Sequence, residues 1–508
     1  MPATATASGR RSSLAPERFP AAEFLLVPEQ TMLADGPAAG QALVVSAGAF
    51  TAVGPAAALR ERHPHLDEIA LPGKLVMPGF VDTHHHLTQS FGKSLAYGEP
   101  SEIFSRIWVP LEASLDDEFV YLAGKLAALE SLRGGFTTVC DAGTRAPGDI
   151  AALARATDEA GLRCVLGLIC NDGGNDAPAD RRAALLARAD AFLAHWGGHA
   201  LVHPSLAISV PEAASDAMLV AVAQRCREAG AVFQTHINEH LASVERCIVA
   251  RGQRPLELLG RLGALGQQTL VAHATLVTPS ELMLLRDTGT AVSYNPVASQ
   301  WKGNAVAPAT LMAALGIRFG LGTDATRSDA FRLVDAAEAA QKIAFGLAIG
   351  DASSGAGWTW LDHATQQGAD AAGLNGRTGM IAVGQRADFL IVDIDVPEMC
   401  TSFDLMWDLV RLGNRDQIVG VFVDGRLRLW HGQPVGWDAR PLMQRVAELA
   451  RRAVAKAPIK KLHLPAAEHL RSHSARGNRV EPLQCIAPAP SASLDPLDSA
   501  SGTPNTAP

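Results

Sequence analysis

Short apolar runs alternate with longer polar and amphipathic segments through the central part of the chain. Four of the runs lead to a histidine or an aspartate: residues 75–81 precede His84, residues 231–235 precede His236, residues 269–272 precede His273 and residues 318–323 precede Asp324. Such runs are typical of buried parallel strands, and the segments between them have room for helices. The pattern predicts an α/β fold built on a parallel sheet.

The pattern changes on both sides of this central part. Short apolar runs separated by glycine and proline occupy residues 24–27, 42–45 and 50–54 before it, and residues 387–393 and 418–426 after it. Runs of this length, bounded by Gly, Pro or Asp-Gly, are typical of short strands joined by turns. We therefore expect β-rich segments on either side of the α/β part.

The two ends of the chain carry weaker patterns. Residues 439–456 are predicted to be helical because their apolar positions fall on one face: Leu442, Val446, Leu449 and Ala453. Residues 1–19 have no amphipathic apolar face, and the chain is rich in Ala, Pro and Ser from Ile486 onward. We expect a disordered lead at residues 1–19 and a largely disordered tail at residues 457–508.

The length and composition indicate a large protein and argue against several protein classes. The 508 residues are 48% hydrophobic, enough for a barrel of about 250 residues and further structure. The net charge is −8 without a basic stripe, which argues against a nucleic-acid partner. Because no apolar segment reaches the ~18 residues of a membrane span and no secretory signal is visible, we expect a cytoplasmic protein. Its seven cysteines, odd in number and without CxxC spacing, are expected to be free thiols.

The strongest chemical signal is the segment Gly-Phe-Val-Asp-Thr-His-His-His at residues 79–86. Side chains alternate along a strand, so His84 and His86 point to the same side. Two imidazoles at the end of a buried strand suit a divalent cation. If the sheet closes into a (β/α)8 barrel, its strand ends converge and bring His236, His273 and Asp324 to the same place. The sequence therefore predicts a metal site.

With these motifs the chain resembles the amidohydrolase superfamily, in the branch of aromatic-heterocycle aminohydrolases that includes guanine or 8-oxoguanine, adenosylhomocysteine and triazine deaminases. The matching motifs are HxH at His84, HxxE from His236 to Glu239, the single His273, Asn-Pro at 295–296 and Gly-Thr-Asp at 322–324. The resemblance implies a (β/α)8 TIM barrel that carries these motifs on strands 1, 5, 6, 7 and 8. It also implies a small β-sandwich domain built from N- and C-terminal segments, and a homodimer.

Together, the flanking patterns and the resemblance divide the chain into domains. Residues 20–74 and 377–438 are expected to form the two parts of the β-sandwich. The metal-binding barrel is expected over residues 75–376, followed by the C-terminal helix at 439–456.

The resemblance also implies the roles of the site residues. His84, His86, His236 and Asp324 are expected to bind one divalent ion per chain, with Zn²⁺ preferred over Fe²⁺. The implied catalytic groups are Asp324, Glu239 as proton shuttle, and His273, which orients the attacking water and polarises the developing oxyanion. Bimetallic members bridge two ions with a carboxylated lysine on strand 4, but this chain has no lysine between Leu126 and Gln234. We therefore favour a mononuclear site.

Substrate contacts are suggested by three residues near the strand ends. Gln89 lies three residues after His86, a spacing similar to that of guanine-type and hydroxytriazine-type aminohydrolases, and an amide suits an oxo-amino ring because it both donates and accepts. Trp301 and Arg327 follow strands 7 and 8 and could stack on or hydrogen-bond the ring. For each, an ordinary role in a first helical turn or in packing at the rim stays open.

The function implied is a metal-dependent aminohydrolase. Its substrate is expected to be an amino-substituted, oxo-bearing N-heterocycle such as a purine, pterin or triazine, and its second reactant water. An alternative within the same chemistry is loss of alkylamine or chloride from a triazine-like ring. A second alternative is an inactive barrel that serves as a binding subunit, because a fold alone does not establish activity.

Overall fold

A computed structural model describes residues 15–20, 23–99, 102–346, 357–463, 467–468 and 470–471. The chain divides into two compact units, of which the first ends at Lys461 and the second begins at Leu462. The predicted disordered segments fall mainly on residues 1–14 and 464–508, which lie almost entirely outside the described residues. Every element that positions the site belongs to the first unit.

The strands of the described residues form two sheets. Those near the N-terminus are β1 (Glu23–Leu33), β2 (Gly36–Ala39), β3 (Gln41–Ser46), β4 (Ala49–Pro55) and β5 (Glu68–Pro78). The central strands are β6 (Phe80–His85), β7 (Phe136–Asp141), β8 (Arg163–Ile169), β9 (Val202–Ile208), β10 (Phe233–Ile237), β11 (Thr269–His273), β12 (Ala291–Tyr294) and β13 (Phe319–Leu321). Those near the C-terminus are β14 (Phe389–Asp393), β15 (Ile418–Val423), β16 (Arg426–Trp430) and β17 (Gln433–Pro434).

Strands from both ends of the chain form one mixed sheet. Its order is β17-β16-β15-β14-β5-β1-β3-β4, with β2 paired to β1. The two halves meet where β5 and β14 pair antiparallel, with Pro78 opposite Phe389. Phe24, Phe389 and Phe422 lie in the apolar core on this sheet. The predicted β domain built from N- and C-terminal segments is confirmed, and its strands join in a single sheet.

The central strands form the predicted parallel barrel. β6 to β13 pair in chain order, as a (β/α)8 barrel requires. Its first and last strands are linked through Asp82 on β6, which accepts hydrogen bonds from the backbone N–H (2.9 Å) and the hydroxyl (2.5 Å) of Thr323. The backbone N–H of Asp324 donates to the carbonyl of His84 at 2.8 Å. The barrel is therefore nearly closed, and the predicted fold class is confirmed.

One strand expected from the hydrophobic pattern is divided in the structure. The apolar run at residues 75–81 predicts a single buried strand, but β5 ends at Pro78 and β6 begins at Phe80. The break lies at Gly79, where a Cβ atom would stand 2.1 Å from the hydroxyl oxygen of Thr137. Because both halves are buried, hydrophobicity alone could not indicate that they belong to different sheets.

Helices fill the connections between the barrel strands. The α-helices among the described residues are α1 (Ala56–Arg62), α2 (Val109–Glu112), α3 (Asp117–Arg133), α4 (Ala151–Ala160), α5 (Ala179–Trp196), α6 (Asp216–Ala229), α7 (Leu241–Arg251), α8 (Pro255–Arg261), α9 (Pro279–Thr288), α10 (Pro296–Lys302), α11 (Ala309–Ala314), α12 (Ala330–Gln341), α13 (Trp358–His363), α14 (Gln366–Ala371), α15 (Leu405–Arg411) and α16 (Ala439–Lys456). Short 3-10 turns lie at Pro16–Arg18, Ser90–Leu95, Pro211–Ala213 and Arg415–Gln417, and π-helical turns at Phe104–Trp108 and Lys342–Gly346.

Local sequence signals explain where several of these helices begin. α3, α6, α9 and α12 start after a side chain that accepts a hydrogen bond from the N–H three residues on: Asp116, Ser215, Thr278 and Asp329. α16 buries one apolar face, and Leu442 and Val446 lie on that face. None of the described helices combines the length and the apolar character needed to cross a bilayer.

A buried ion pair links the barrel to the mixed sheet. Arg163 begins β8, and its guanidinium donates to both carboxylate oxygens of Asp388 at 2.7 and 3.1 Å. Both side chains are fully buried. Because β8 starts at the N-terminal end of the barrel, this contact lies at the end opposite the predicted metal site and stabilises the scaffold.

Candidate active site

The C-terminal ends of four barrel strands bring the predicted ligand residues together. His84 lies on β6 with His86 just beyond it, His236 on β10 and His273 at the end of β11, while Asp324 follows β13. His273 and Asp324 adopt left-handed backbone conformations, with φ of 75° and 53°. Non-glycine residues rarely do so, and such strain is concentrated at functional sites.

The spacing of the donor atoms fits a tetrahedral metal ion. Nε2 of His84 and Nε2 of His86 each lie 3.4 Å from Oδ1 of Asp324, and Nε2 of His236 lies 3.2 Å from Nε2 of His86. Ligand atoms at the usual distance from a tetrahedral Zn²⁺ lie about 3.3 to 3.4 Å from one another. These three separations therefore match the spacing of ligand atoms around a bound ion.

The protonation of these histidines also suits metal binding. Burial lowers the pKa of His84 and of His236, so both rings are neutral. Nδ1 of His236 donates to the backbone carbonyl of Ser209 at 2.7 Å, which leaves the Nε2 lone pair free to face the cluster. Nε2 of His84 is buried and makes no hydrogen bond to any described residue. A cation would satisfy it.

His273 is held in the opposite tautomer. Its Nδ1 accepts a hydrogen bond from the side-chain amide of Asn295 at 3.1 Å, so Nε2 carries the hydrogen. The amide orientation is set by Ser293, whose hydroxyl donates to Oδ1 of Asn295 at 2.8 Å. Space for this chain exists because residue 322 is glycine: a Cβ there would lie 2.3 Å from Oδ1 of Asn295. His273 thus presents an N–H donor to the site, whereas His236 presents a lone pair.

Glu239 lies beside this donor. Its Oε2 is 3.6 Å from Nε2 of His273, and its Oε1 accepts a hydrogen bond from Lys302 at 2.7 Å. Burial alone would raise the pKa of Glu239, but its interactions with His273, Lys302 and His240 hold it well below the usual range. The resting carboxylate is therefore ionised and able to accept a proton.

A cavity of about 810 Å³ opens onto these groups. Gln89 and Trp301 line it, and Trp301 forms an edge-on pair with Tyr97 at a centroid distance of 5.0 Å. Arg327 is not among the described residues that line the cavity, and its guanidinium lies 3.4 Å from Asp329 instead. The structure thus brings Gln89 and Trp301 to the site and gives no support to a substrate contact from Arg327.

Two residues of the site were not assigned a role from the sequence. Asn295 appears in the sequence analysis only as part of the Asn-Pro motif, and no motif of the sequence singles out Lys302. Both belong to the segment that contains α10: Asn295 precedes its first residue, and Lys302 is its last. Seven positions correspond to about two helical turns, which can place both residues on one face of α10, but the sequence does not indicate that this face meets the site.

The profile of the Amidohydrolase family matches residues 75–428. The chain belongs to this family. The match covers the barrel with its ligand cluster and, of the mixed sheet, the end of β5, all of β14 and β15 and the start of β16, and it confirms the resemblance inferred from the motifs. The histidine cluster is consistent with the metal site predicted for an amidohydrolase.

Named relatives of this amidohydrolase are deaminases. The chain is 27% identical over 421 residues to the 5-methylthioadenosine/S-adenosylhomocysteine deaminase 1 of Syntrophus aciditrophicus, covering 81% of this chain and 92% of the relative. It is 29% identical over 400 residues to the 5'-deoxyadenosine deaminase of Methanosarcina mazei, covering 76% and 88%. Among solved structures, an adenosine deaminase from Xanthomonas campestris with bound zinc is similar, with a TM-score of 0.77 and 25% identity over 85% of this chain and 99% of that one. These relatives confirm the prediction of a hydrolase that acts on the carbon–nitrogen bonds of cyclic amidines.

Proposed function

We propose that this amidohydrolase is a mononuclear, metal-dependent deaminase of an aminopurine. The observation that carries the proposal is the ligand set: three imidazoles and one carboxylate next to Glu239 and His273, with donor atoms 3.4 Å apart for His84–Asp324 and His86–Asp324 and 3.2 Å apart for His86–His236. A binding subunit without activity has no need of these neighbours.

The proposed metal is one Zn²⁺ per chain, held by His84, His86, His236 and Asp324. Three histidines and one carboxylate are ligand types that Zn²⁺ accepts, and the similar adenosine deaminase structure contains zinc. β9, the fourth barrel strand, has no lysine that could bridge a second ion. Fe²⁺ suits the same ligands and is the alternative that metal analysis would distinguish.

When bound, the ion supplies a Lewis acid that lowers the pKa of a water molecule. Glu239 would accept a proton from the attacking water and deliver it to a ring nitrogen, because attack at an aromatic C–NH₂ carbon disrupts the ring's conjugation unless a nitrogen is protonated. Nε2–H of His273 donates to the oxygen on which negative charge develops. As the C–N bond breaks, the remaining proton of the added hydroxyl would pass through Glu239 to the leaving amine, so that the products are the oxo heterocycle and ammonia.

The proposed substrate is an aminopurine that carries a further group, as in a nucleoside. The named relatives act on adenosine derivatives. A cavity of about 810 Å³ leaves space beyond a purine ring. Gln89 and Trp301 on its wall offer an amide and an aromatic face for the ring. Oxo-bearing rings such as guanine stay in the panel of candidates because the HxHxxQ spacing suggests them.

The test is ammonia release from a substrate panel, measured with and without a chelator. The panel comprises adenosine, 5'-deoxyadenosine, 5-methylthioadenosine, S-adenosylhomocysteine, guanine, a pterin and an aminotriazine. We expect release from at least one aminopurine and its loss on chelation. Chelator-resistant release would contradict the metal requirement, and no release from any aminopurine would contradict the proposed substrate. The homodimer and the cytoplasmic location implied at the sequence level remain predictions.

A further inference from the structure

Lys302 lies between the two carboxylates of the site. Its Nζ is 2.7 Å from Oε1 of Glu239 and 2.7 Å from Oδ2 of Asp324. Its side chain is 19% exposed, so the ammonium is largely removed from solvent. One side chain therefore donates to both the proposed proton shuttle and a proposed metal ligand.

The oxygens that Lys302 binds are the outer ones. Asp324 turns its other oxygen, Oδ1, toward Nε2 of His84 and of His86 at 3.4 Å. Glu239 turns its other oxygen, Oε2, toward Nε2 of His273 at 3.6 Å. In each carboxylate, therefore, one oxygen accepts a hydrogen bond from the ammonium and the other faces the reaction site.

The position of Lys302 in the chain reinforces this arrangement. It is the last residue of α10, where the helix dipole favours a positive charge. Its two contacts with carboxylate oxygens, both at 2.7 Å, are charge-assisted hydrogen bonds that hold this end of α10 against the site. The first turn of the same helix follows Asn295, which orients His273. α10 thus connects the supports of three active-site groups.

We propose that Lys302 is a positioning residue that fixes the orientation of Asp324 and Glu239, so that one presents Oδ1 to the metal and the other presents Oε2 to the reacting water. This inference rests on the proposed function for its kinetic consequences only. Without the ammonium, two neighbouring carboxylates would repel each other and be free to rotate.

The kinetic test compares Lys302→Met with Lys302→Arg on the substrate identified by ammonia release. Hydrogen bonds to charged groups are strong enough that K302M should lower kcat by about 10- to 100-fold, with KM changed much less. K302R should recover most of the loss, because a guanidinium keeps the charge and can donate to two carboxylates. A kcat of K302M within twofold of the wild type, or K302R as impaired as K302M, would overturn the proposal.

Lys74 provides a matched control. Its side chain is also 19% exposed, and its Nζ donates to Asp393 at 2.8 Å on the mixed sheet, away from the site. Lys74→Met removes a comparable half-buried ion pair without touching an active-site carboxylate. We expect its kcat to equal that of the wild type, and a loss as large as that of K302M would mean that any such pair affects turnover through stability.

A double-mutant cycle tests whether Lys302 acts through Glu239. If it does, adding K302M to Glu239→Gln should cost far less than it costs in the wild type, because the group being positioned is already disabled. Fully additive losses would overturn this part of the proposal.

A spectroscopic measurement needs no substrate. Co²⁺ in place of the native ion gives visible bands that depend on ligand geometry, and K302M should change them because Asp324 loses the contact on Oδ2. K302R and K74M should retain the wild-type spectrum. A K302M spectrum that superimposes on the wild type would overturn the proposal for Asp324. If the wild type released no ammonia from the panel, the proposed function would fail while this spectrum still decided the role of Lys302.

Discussion

The side-chain amide of Asn295 donates to Nδ1 of His273 at 3.1 Å and thereby places the ring hydrogen on Nε2. His236 differs from His273 in this respect, because its own Nδ1 donates a hydrogen bond. One histidine of the cluster is therefore prepared to donate and the other to coordinate. The positions of the two rings alone would not distinguish them, because the rings are nearly stacked, with centroids 5.6 Å apart.

Reversal of this tautomer should abolish most of the activity. Asn295→Asp would place a carboxylate opposite Nδ1 and draw the hydrogen there, so that Nε2 can no longer donate to the developing oxyanion in the neutral ring. We expect kcat to fall by about 10² to 10⁴. Asn295→Ala, which removes the contact without imposing the wrong tautomer, should cost less. Equal kcat values for N295D and the wild type would refute this role of the amide.

Glu239→Gln should keep the metal and lose most of the turnover. An amide of the same shape cannot accept the proton of water, and positioned acid–base groups contribute about 10² to 10⁴ in rate. Metal content and ammonia release are measured on the same preparation. Glu212→Gln is the control, since Glu212 lines the same cavity with a similar exposure of 12% against 14%; its kcat should fall far less. Near-normal turnover by E239Q would mean that Glu239 is not the proton shuttle. The next residue to test would then be His240, whose Nε2 lies 3.2 Å from Oε1 of Glu239.

Gln89→Leu should act on specificity. Gln89 is buried at the cavity wall, three residues beyond His86. A lost hydrogen bond to a bound polar group costs about 1 to 3 kcal/mol. We therefore expect kcat/KM to fall selectively for rings that carry a carbonyl, with a smaller effect on rings without one. Equal losses on both kinds of substrate would mean that Gln89 supports the loop only.

Much of this site could be predicted from the sequence because its ligands follow buried strands. His84, His86, His236 and Asp324 each stand at or just beyond a strand end, and parallel strand ends converge by construction. Lys302 and Asn295 reach the site through the ends of a short helix whose direction depends on tertiary packing. The division at Gly79 was likewise hidden, because the residues on either side of it, 75–78 and 80–81, are all apolar and buried.

The ion pair between Arg163 and Asp388 predicts a pH-dependent effect on stability. Burial alone would raise the pKa of Asp388, but Arg163 and further donors lower it. A carboxyl with a depressed folded-state pKa stabilises the fold above its unfolded pKa of about 3.9, and this contribution is lost as the pH falls through the folded value. Arg163→Met leaves a buried carboxylate without its cation and should cost about 3 to 5 kcal/mol at neutral pH.

Chemical denaturation at several pH values measures this effect. The stability difference between R163M and the wild type should narrow as the pH falls, because the buried carboxyl of Asp388 takes up a proton at a higher pH in R163M than in the wild type, where Arg163 depresses its pKa. Arg60→Met is the control, because Arg60 also forms a two-point contact, with Glu68, but on the surface; its removal should change stability little. If the difference in free energy of unfolding between R163M and the wild type does not change with pH, then lost packing, and not lost charge pairing, accounts for the lower stability of R163M.

Stoichiometric metal reconstitution tests the central claim most directly. Protein stripped with a chelator is titrated with Zn²⁺, and the rate of ammonia release from the best aminopurine substrate is recorded at each addition. The mononuclear ligand set formed by His84, His86, His236 and Asp324 predicts no release at the start, a linear rise and a plateau at about one equivalent per chain. A plateau at two equivalents, or full release from the stripped protein, would contradict the account.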